Sequence, residues 1–91
     1  MTEELINIIQ KIKEKISDDS DMIWTKYETA SQLREELDFY IMELKKGNKA
    51  VIIKNLSLLF APTGSLQEHS ISNGWSEEFL KLAEQFDLIQ G

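Results

Sequence analysis

Along the first sixteen residues the apolar positions recur three and four apart. Leu5, Ile8, Ile9, Ile12 and Ile16 share one helical face, while Asn7, Gln10, Lys11, Lys13 and Glu14 fall mostly elsewhere. This spacing predicts an amphipathic helix from Thr2 to Ile16. Thr2 is placed to cap it, Glu3 and Glu4 sit at the positive end of its dipole, and the lysines sit toward the negative end. The stretch Ser17–Asp21, SDDSD, breaks the pattern and is followed by Met22, Ile23 and Trp24. Three aspartates in four residues raise a calcium loop, but Met22 stands where such a loop needs glycine, and Ile23 and Lys26 follow. A turn with a helix cap is the better reading. Trp24 and Tyr27 are large enough that we expect them to fold back onto the core and anchor this connection.

The second helical stripe runs from about Thr29 to Lys46 through Ala30, Leu33, Leu37, Tyr40, Ile41 and Leu44. Gly47, after Lys45 and Lys46, is a strong stop. Asn48 opens a third segment, KAVIIKNLSLLFA, whose apolar residues cover nearly every side. A helix with so narrow a polar face is usually the most buried of its bundle, with a short strand at Ala50–Ile53 as the competitor. The short connection at Gly47 pairs the second and third segments as an antiparallel hairpin. A last helix is expected from Ser76 to about Ile89, with Phe79, Leu82, Ala83, Phe86 and Ile89 on a face shared with Trp75. The fold class is therefore all-α: one domain over residues 1–91, four helices, the third most buried.

Between Phe60 and Trp75 lies FAPTGSLQEHSISNGW, with the only proline, the only histidine and two of the four glycines. Connections this long are uncommon in small domains and are usually functional or self-packed. We expect a long ordered loop over residues 61–75, folded across one end of the bundle. Ala61-Pro62-Thr63-Gly64 suits a tight turn with glycine freeing its fourth position, and Asn73-Gly74 suits a second turn. Leu66 and Ile71 should point inward, and Trp24, Trp75 and Phe60 should meet the core nearby. The candidate binding residues are Pro62, Thr63, Gly64, Gln67, Glu68, His69, Asn73 and Trp75. Their chemistry is hydrogen bonding, with Gln67 and Glu68 expected to serve the main chain of the loop. In an extended chain Glu68 and His69 point to opposite sides, so they form no acid–base dyad. One histidine without cysteine is too little for a zinc site. The PTGS turn lacks the second glycine, lysine and hydroxyl of a phosphate loop. No catalytic residue, metal ligand or cofactor is assigned.

Composition changes this picture only modestly. Ninety-one residues suit one domain, and a chain of this size buries roughly 60–65% of its unfolded surface. The net charge of −6 divides evenly between the halves, which disfavours binding to phosphate backbones; it allows a basic protein partner, although such a charge more often just keeps a small protein soluble. The absence of cysteine excludes a disulfide framework, and the amino terminus lacks the form of a signal peptide. No apolar run reaches the length of a membrane span, so a cytoplasmic protein is expected.

The run from Leu58 to Asp87 resembles the C-terminal signature of a family of small bacterial proteins of unknown function. The resemblance rests on Pro62-Thr63-Gly64, Leu66-Gln67-Glu68, Asn73-Gly74-Trp75 and Glu78-Phe79, about a third of the chain. It implies a bacterial cytosolic domain and carries no activity. The function expected from the residues is a non-catalytic, acidic protein-binding module, either an inhibitor or immunity-type partner or an assembly subunit. A small-molecule or peptide site at the Pro62–Trp75 loop, catalytic or not, is the alternative.

Overall fold

The computed structural model describes residues 2–61 and 64–90, for Gln90 the backbone only. Within them lie five helices and no strand: α1 (Thr2–Glu14), α2 (Ala30–Lys45), α3 (Lys49–Phe60), α4 (Ser65–Ser72) and α5 (Ser76–Gln90). The all-α class holds, with five helices rather than four. Each helix packs on the next, and α5 also returns to α1, which closes the five into a ring around one core. The molecule measures 32 × 23 × 18 Å.

α1 and α2 form on the faces their periodicity marks. Leu5, Ile8, Ile9 and Ile12 of α1 are buried, as are Ala30, Leu33, Leu37, Tyr40, Ile41 and Leu44 of α2. Thr29 caps α2 by accepting the Gln32 N–H at 3.2 Å, and Gln32 Oε1 reaches back to accept the Glu28 N–H at 2.9 Å. This is a capping box shifted by one residue, and it satisfies two main-chain donors that the first turn cannot. At the other end Gly47 adopts φ +92°, and the N–H groups of Gly47 and Asn48 return to the carbonyls of Leu44 and Glu43. Such a left-handed stop turns the chain directly into α3.

Two expectations about burial fail. α3 is a helix throughout, so the strand alternative is not formed, yet it is not the most buried element. It buries Ile52, Leu56, Leu59 and Phe60 and turns Val51 (64% exposed) and Leu58 (68%) to solvent. Position in the ring explains this: α3 lies between α2 and α4 and meets α5 through Phe60, and these neighbours leave Val51 and Leu58 uncovered. Trp24 does not fold back either. It is 69% exposed beside Ile23 at 74%, while Met22 and Tyr27 pack against the core in its place.

The largest correction concerns residues 61–75, which are not one long loop. Ser65–Ser72 form α4, flanked by Gly64 and by the Asn73-Gly74 turn. Its buried residues are Ser65, Leu66, His69 and Ser70, with His69 and Ser70 three and four residues beyond Leu66. Three of those four residues are polar, so no apolar stripe marks the helix in the sequence. Ile71 consequently points out, at 58% exposure, against the inward placement expected for it. The helix itself supplies the main-chain partners that Gln67 and Glu68 were expected to provide; the Glu68 N–H, for instance, meets Gly64 O at 3.1 Å. Gly64 has φ −74°, so it frees no left-handed turn position.

Candidate functional site

A line of stacked and edge-on rings fixes α4 against its neighbours. Phe60 of α3 stacks on Phe86 at 4.7 Å and on Phe79 at 5.9 Å, both of α5. Phe79 meets Trp75 edge-on at 6.1 Å, and Trp75 meets His69 edge-on at 5.6 Å. Aromatic pairs in these geometries add about 0.5–1.5 kcal/mol each beyond area burial. Phe60 and Trp75 thus reach the core as expected, without Trp24.

His69 is fully buried. The Trp75 indole Nε1–H donates to His69 Nδ1 at 2.9 Å. An indole N–H can only donate, so Nδ1 is the accepting nitrogen and the ring proton sits on Nε2. Nε2 has no hydrogen-bond partner among the described residues. Burial lowers the affinity of His69 for a second proton below the ordinary value, and the charge of Asp21 partly offsets this. His69 is therefore a neutral core residue.

From this corner the chain reaches out to hold the connection between α1 and α2. Asn73, the residue after α4, accepts the Asp21 N–H on Oδ1 at 2.8 Å. Its amide nitrogen donates to Asp21 O at 3.0 Å and to His69 O at 2.9 Å. One amide thus pairs with a distant main chain on both sides, as a strand neighbour would. Gly74, at φ +80°, then turns the chain so that the Trp75 N–H meets Ser70 O at 2.9 Å. A second stitch joins the Lys26 N–H to Ser65 Oγ at 3.1 Å, at the start of α4.

The α2 side holds the same connection. Arg34 donates to Ile16 O at 3.0 Å and pairs with Asp18. The Tyr27 hydroxyl donates to the Glu36 carboxylate. Both Tyr27 and Tyr40 are pushed well above the usual phenol range, by burial first and then by hydrogen bonding to Glu36 and its charge. Raised in this way, the Tyr27 hydroxyl keeps the proton that it donates to Glu36. The segment between α1 and α2, though without helix or strand, is tied to α2, α4 and the α4–α5 corner.

What this tied segment presents is apolar and acidic together. Ile23 and Trp24 stand out at its tip, and Asp18, Asp19 and Asp21 are exposed just before them. Trp24 also lines an open depression of about 400 Å³ with Thr25, Lys26, Leu58, Leu59, Gly64 and Ser65. Large apolar side chains exposed together, with charge at the edge, are the usual look of a protein contact site.

The residues singled out in the sequence divide accordingly. His69 and Trp75 are partners in the core, and Asn73 bonds the Asp21 main chain and the His69 carbonyl. Gly64 lines the depression, and Gln67 and Glu68 are half-buried on α4. Pro62 and Thr63 lie outside the described residues. The exposed residues Ile23, Trp24 and Leu58 were missed as surface, because large apolar side chains are normally assigned to the core. The adjacent run of aspartates was the one signal that this segment faces water. Among the described residues no cluster of histidine and acidic side chains could hold a metal, and no helix is long and apolar enough to cross a membrane. No family model, curated protein or solved structure matches the chain.

Proposed function

We propose that the chain is a non-catalytic protein-binding module whose contact surface is the α1–α2 segment, centred on Ile23 and Trp24 and continued by Leu58. The observation that carries this reading is the exposure of Ile23 and Trp24 on a segment held by long-range bonds to Asn73, Ser65, Arg34 and Glu36. Ordering such a segment before binding removes the cost of ordering it on association. Tryptophan is also enriched among the residues that dominate interface energies. The partner carries an apolar or aromatic cleft for Trp24 and lysine or arginine at its rim, opposite Asp18, Asp19 and Asp21. Steering by those charges fits a chain of net charge −6. An inhibitor or immunity-type partner and an assembly subunit are both such binders. The resemblance of residues 58–87 to small bacterial proteins supports a bacterial, cytosolic setting.

A small-molecule or catalytic site at residues 62–75 has less to support it. The one imidazole there is buried and its accepting nitrogen is occupied by Trp75.

The test is capture from the native cell, followed by titration of the purified partner. Trp24→Ala is expected to weaken binding by about 2 kcal/mol or more, roughly thirtyfold, as truncation of a central interface residue does. Asp18→Asn with Asp19→Asn should mainly slow association and flatten its salt dependence. Binding that is indifferent to both changes, with the fold intact, would reject the surface.

A further inference from the structure

His69 lies at the junction between the core and the presented segment. Its Nδ1 holds the Trp75 indole, its carbonyl holds Asn73, and Asn73 holds both main-chain groups of Asp21. Asp21 Oδ1 in turn accepts the Ile23 N–H at 3.1 Å. Two residues thus separate the only histidine from the exposed tip: Asn73 and Asp21.

The consequence of a proton at this junction follows from donor and acceptor arithmetic. With the ring proton on Nε2, a second proton must go to Nδ1. Nδ1–H and the indole Nε1–H would then be two donors facing each other across 2.9 Å, and their bond cannot survive. Nε2 gains nothing in exchange, because no described group accepts from it. A fully buried imidazolium with one donor repelled and the other unpartnered must reach water or move toward a carboxylate. The surrounding charges leave one direction. α3 carries only Lys49 and Lys54, and the charged groups of α5, Glu77, Glu78, Lys81, Glu84 and Asp87, are all exposed. On α4 itself Glu68 precedes His69. From the tied segment come Lys26, held through its main chain, and Asp21, which Asn73 joins to His69 and whose charge favours the protonated ring.

We propose that His69 is a proton-operated latch: a proton taken from solvent onto Nδ1 breaks its bond with Trp75, and displacement of the ring toward Asp21 releases the Asn73 clamp and frees the Ile23–Trp24 segment. Two states of one corner are involved, both biased by the same proton, which is what linkage between a buried site and a surface requires. If that segment is the contact surface, partner binding is strongest near neutrality and weakens in mild acid. That last consequence rests on the proposed function; the latch itself does not.

The test therefore uses the full chain without any partner. As the only histidine, His69 gives unambiguous ring signals in a nuclear magnetic resonance titration from about pH 7.5 to about pH 5, the window in which imidazoles change charge. The His69 ring, the Trp75 indole N–H and the Asp21 amide are expected to move with one shared midpoint below about 6.5, the unperturbed value. Protection of the Asp21 amide, corrected for intrinsic exchange, should fall by up to tenfold per pH unit between about 6.5, where the opened imidazole takes up its proton, and that midpoint, and be lost beneath it, as one linked proton dictates. Asp21→Asn keeps the main-chain bonds to Asn73 and an oxygen for the Ile23 N–H. It should lower the midpoint by deleting the charge that helps His69 take up a proton. His69→Asn, which retains an acceptor near the Nδ1 position and cannot titrate, should abolish the pH dependence. The latch is overturned by Asp21 protection that stays constant through the window, or by a midpoint unmoved or raised in Asp21→Asn. A folded His69→Asn protein with unchanged pH dependence would overturn it equally. Should that variant fail to fold, the wild-type and Asp21→Asn titrations decide alone.

Discussion

A methyl group at position 64 would stand 2.9 Å from the carbonyl oxygens of Leu58 and Ala61 and 3.0 Å from that of Leu59. All three are main chain at the end of α3, where little can move aside, so the glycine is required for space. Gly47 and Gly74 are the reverse case, with open surroundings and φ of +92° and +80°. Asparagine tolerates that left-handed conformation and alanine does not. Gly64→Ala and Gly64→Asn should therefore both lose about 1–3 kcal/mol by overpacking. At Gly47 and Gly74, asparagine should recover part of the roughly 1–2 kcal/mol that alanine loses. Denaturant titration of the six variants distinguishes the two causes, and recovery by asparagine at position 64 would contradict the first. His69 gives a second prediction at this scale. Its proton affinity is lower folded than unfolded, so the unfolded chain binds the extra proton first as pH falls. Stability contributed by neutral His69 is complete above about 6.5 and declines below it until the folded protein can also take up the proton. Unfolding midpoints in urea should decrease from about pH 7 to about pH 5 in the wild type and much less in His69→Asn.

Helices α1, α2 and α5 were legible because each carries an apolar stripe of helical period with acidic first turns or a glycine stop around it. α4 was not, and the reason is local. Its buried positions are Ser65, Leu66, His69 and Ser70, and the partners that the polar ones find are invisible in a pattern of hydrophobicity. Ser70 Oγ donates to Gln67 O at 2.7 Å, and His69 accepts from Trp75 six residues on. Gly64 stands at its start and Asn73-Gly74 turns the chain after it, but such ends are compatible with a loop or an eight-residue helix between them. Burial separates the two. Leu66→Ala should cost about 2–5 kcal/mol, the usual loss for a buried leucine. Ile71→Ala, on the outer face, should stay within about 0.5 kcal/mol. Equal losses at the two positions would mean that α4 is turned about its axis. For α3 the composition misled in the opposite sense: its apolar residues surround the helix, but its neighbours leave Val51 and Leu58 exposed.

At the scale of the molecule, the candidate surface was the least legible part. Asn73 could be placed in a turn from its neighbour Gly74, whereas its partner Asp21 lies 52 residues away and bonds through main chain that any residue would offer. Tryptophan at position 24 reads as an anchor when the chain is considered alone. Only the arrangement of Met22 and Tyr27 inward, with Asn73, Ser65, Arg34 and Glu36 holding the backbone, shows why Trp24 is left outside. The account as a whole depends on that segment being held. Hydrogen exchange of the Asp21 amide in the native state near neutral pH, in wild type and Asn73→Ala, tests it most directly. The amide is on an exposed residue outside any helix, so in isolation it would exchange at the rate of an unstructured chain. Bonded to Asn73 Oδ1 at 2.8 Å, it is expected to be protected by about tenfold or more in the wild type, the equivalent of one hydrogen bond of about 1.4 kcal/mol, and to lose that protection in Asn73→Ala. Exchange at the unstructured rate in the wild-type protein would contradict the account.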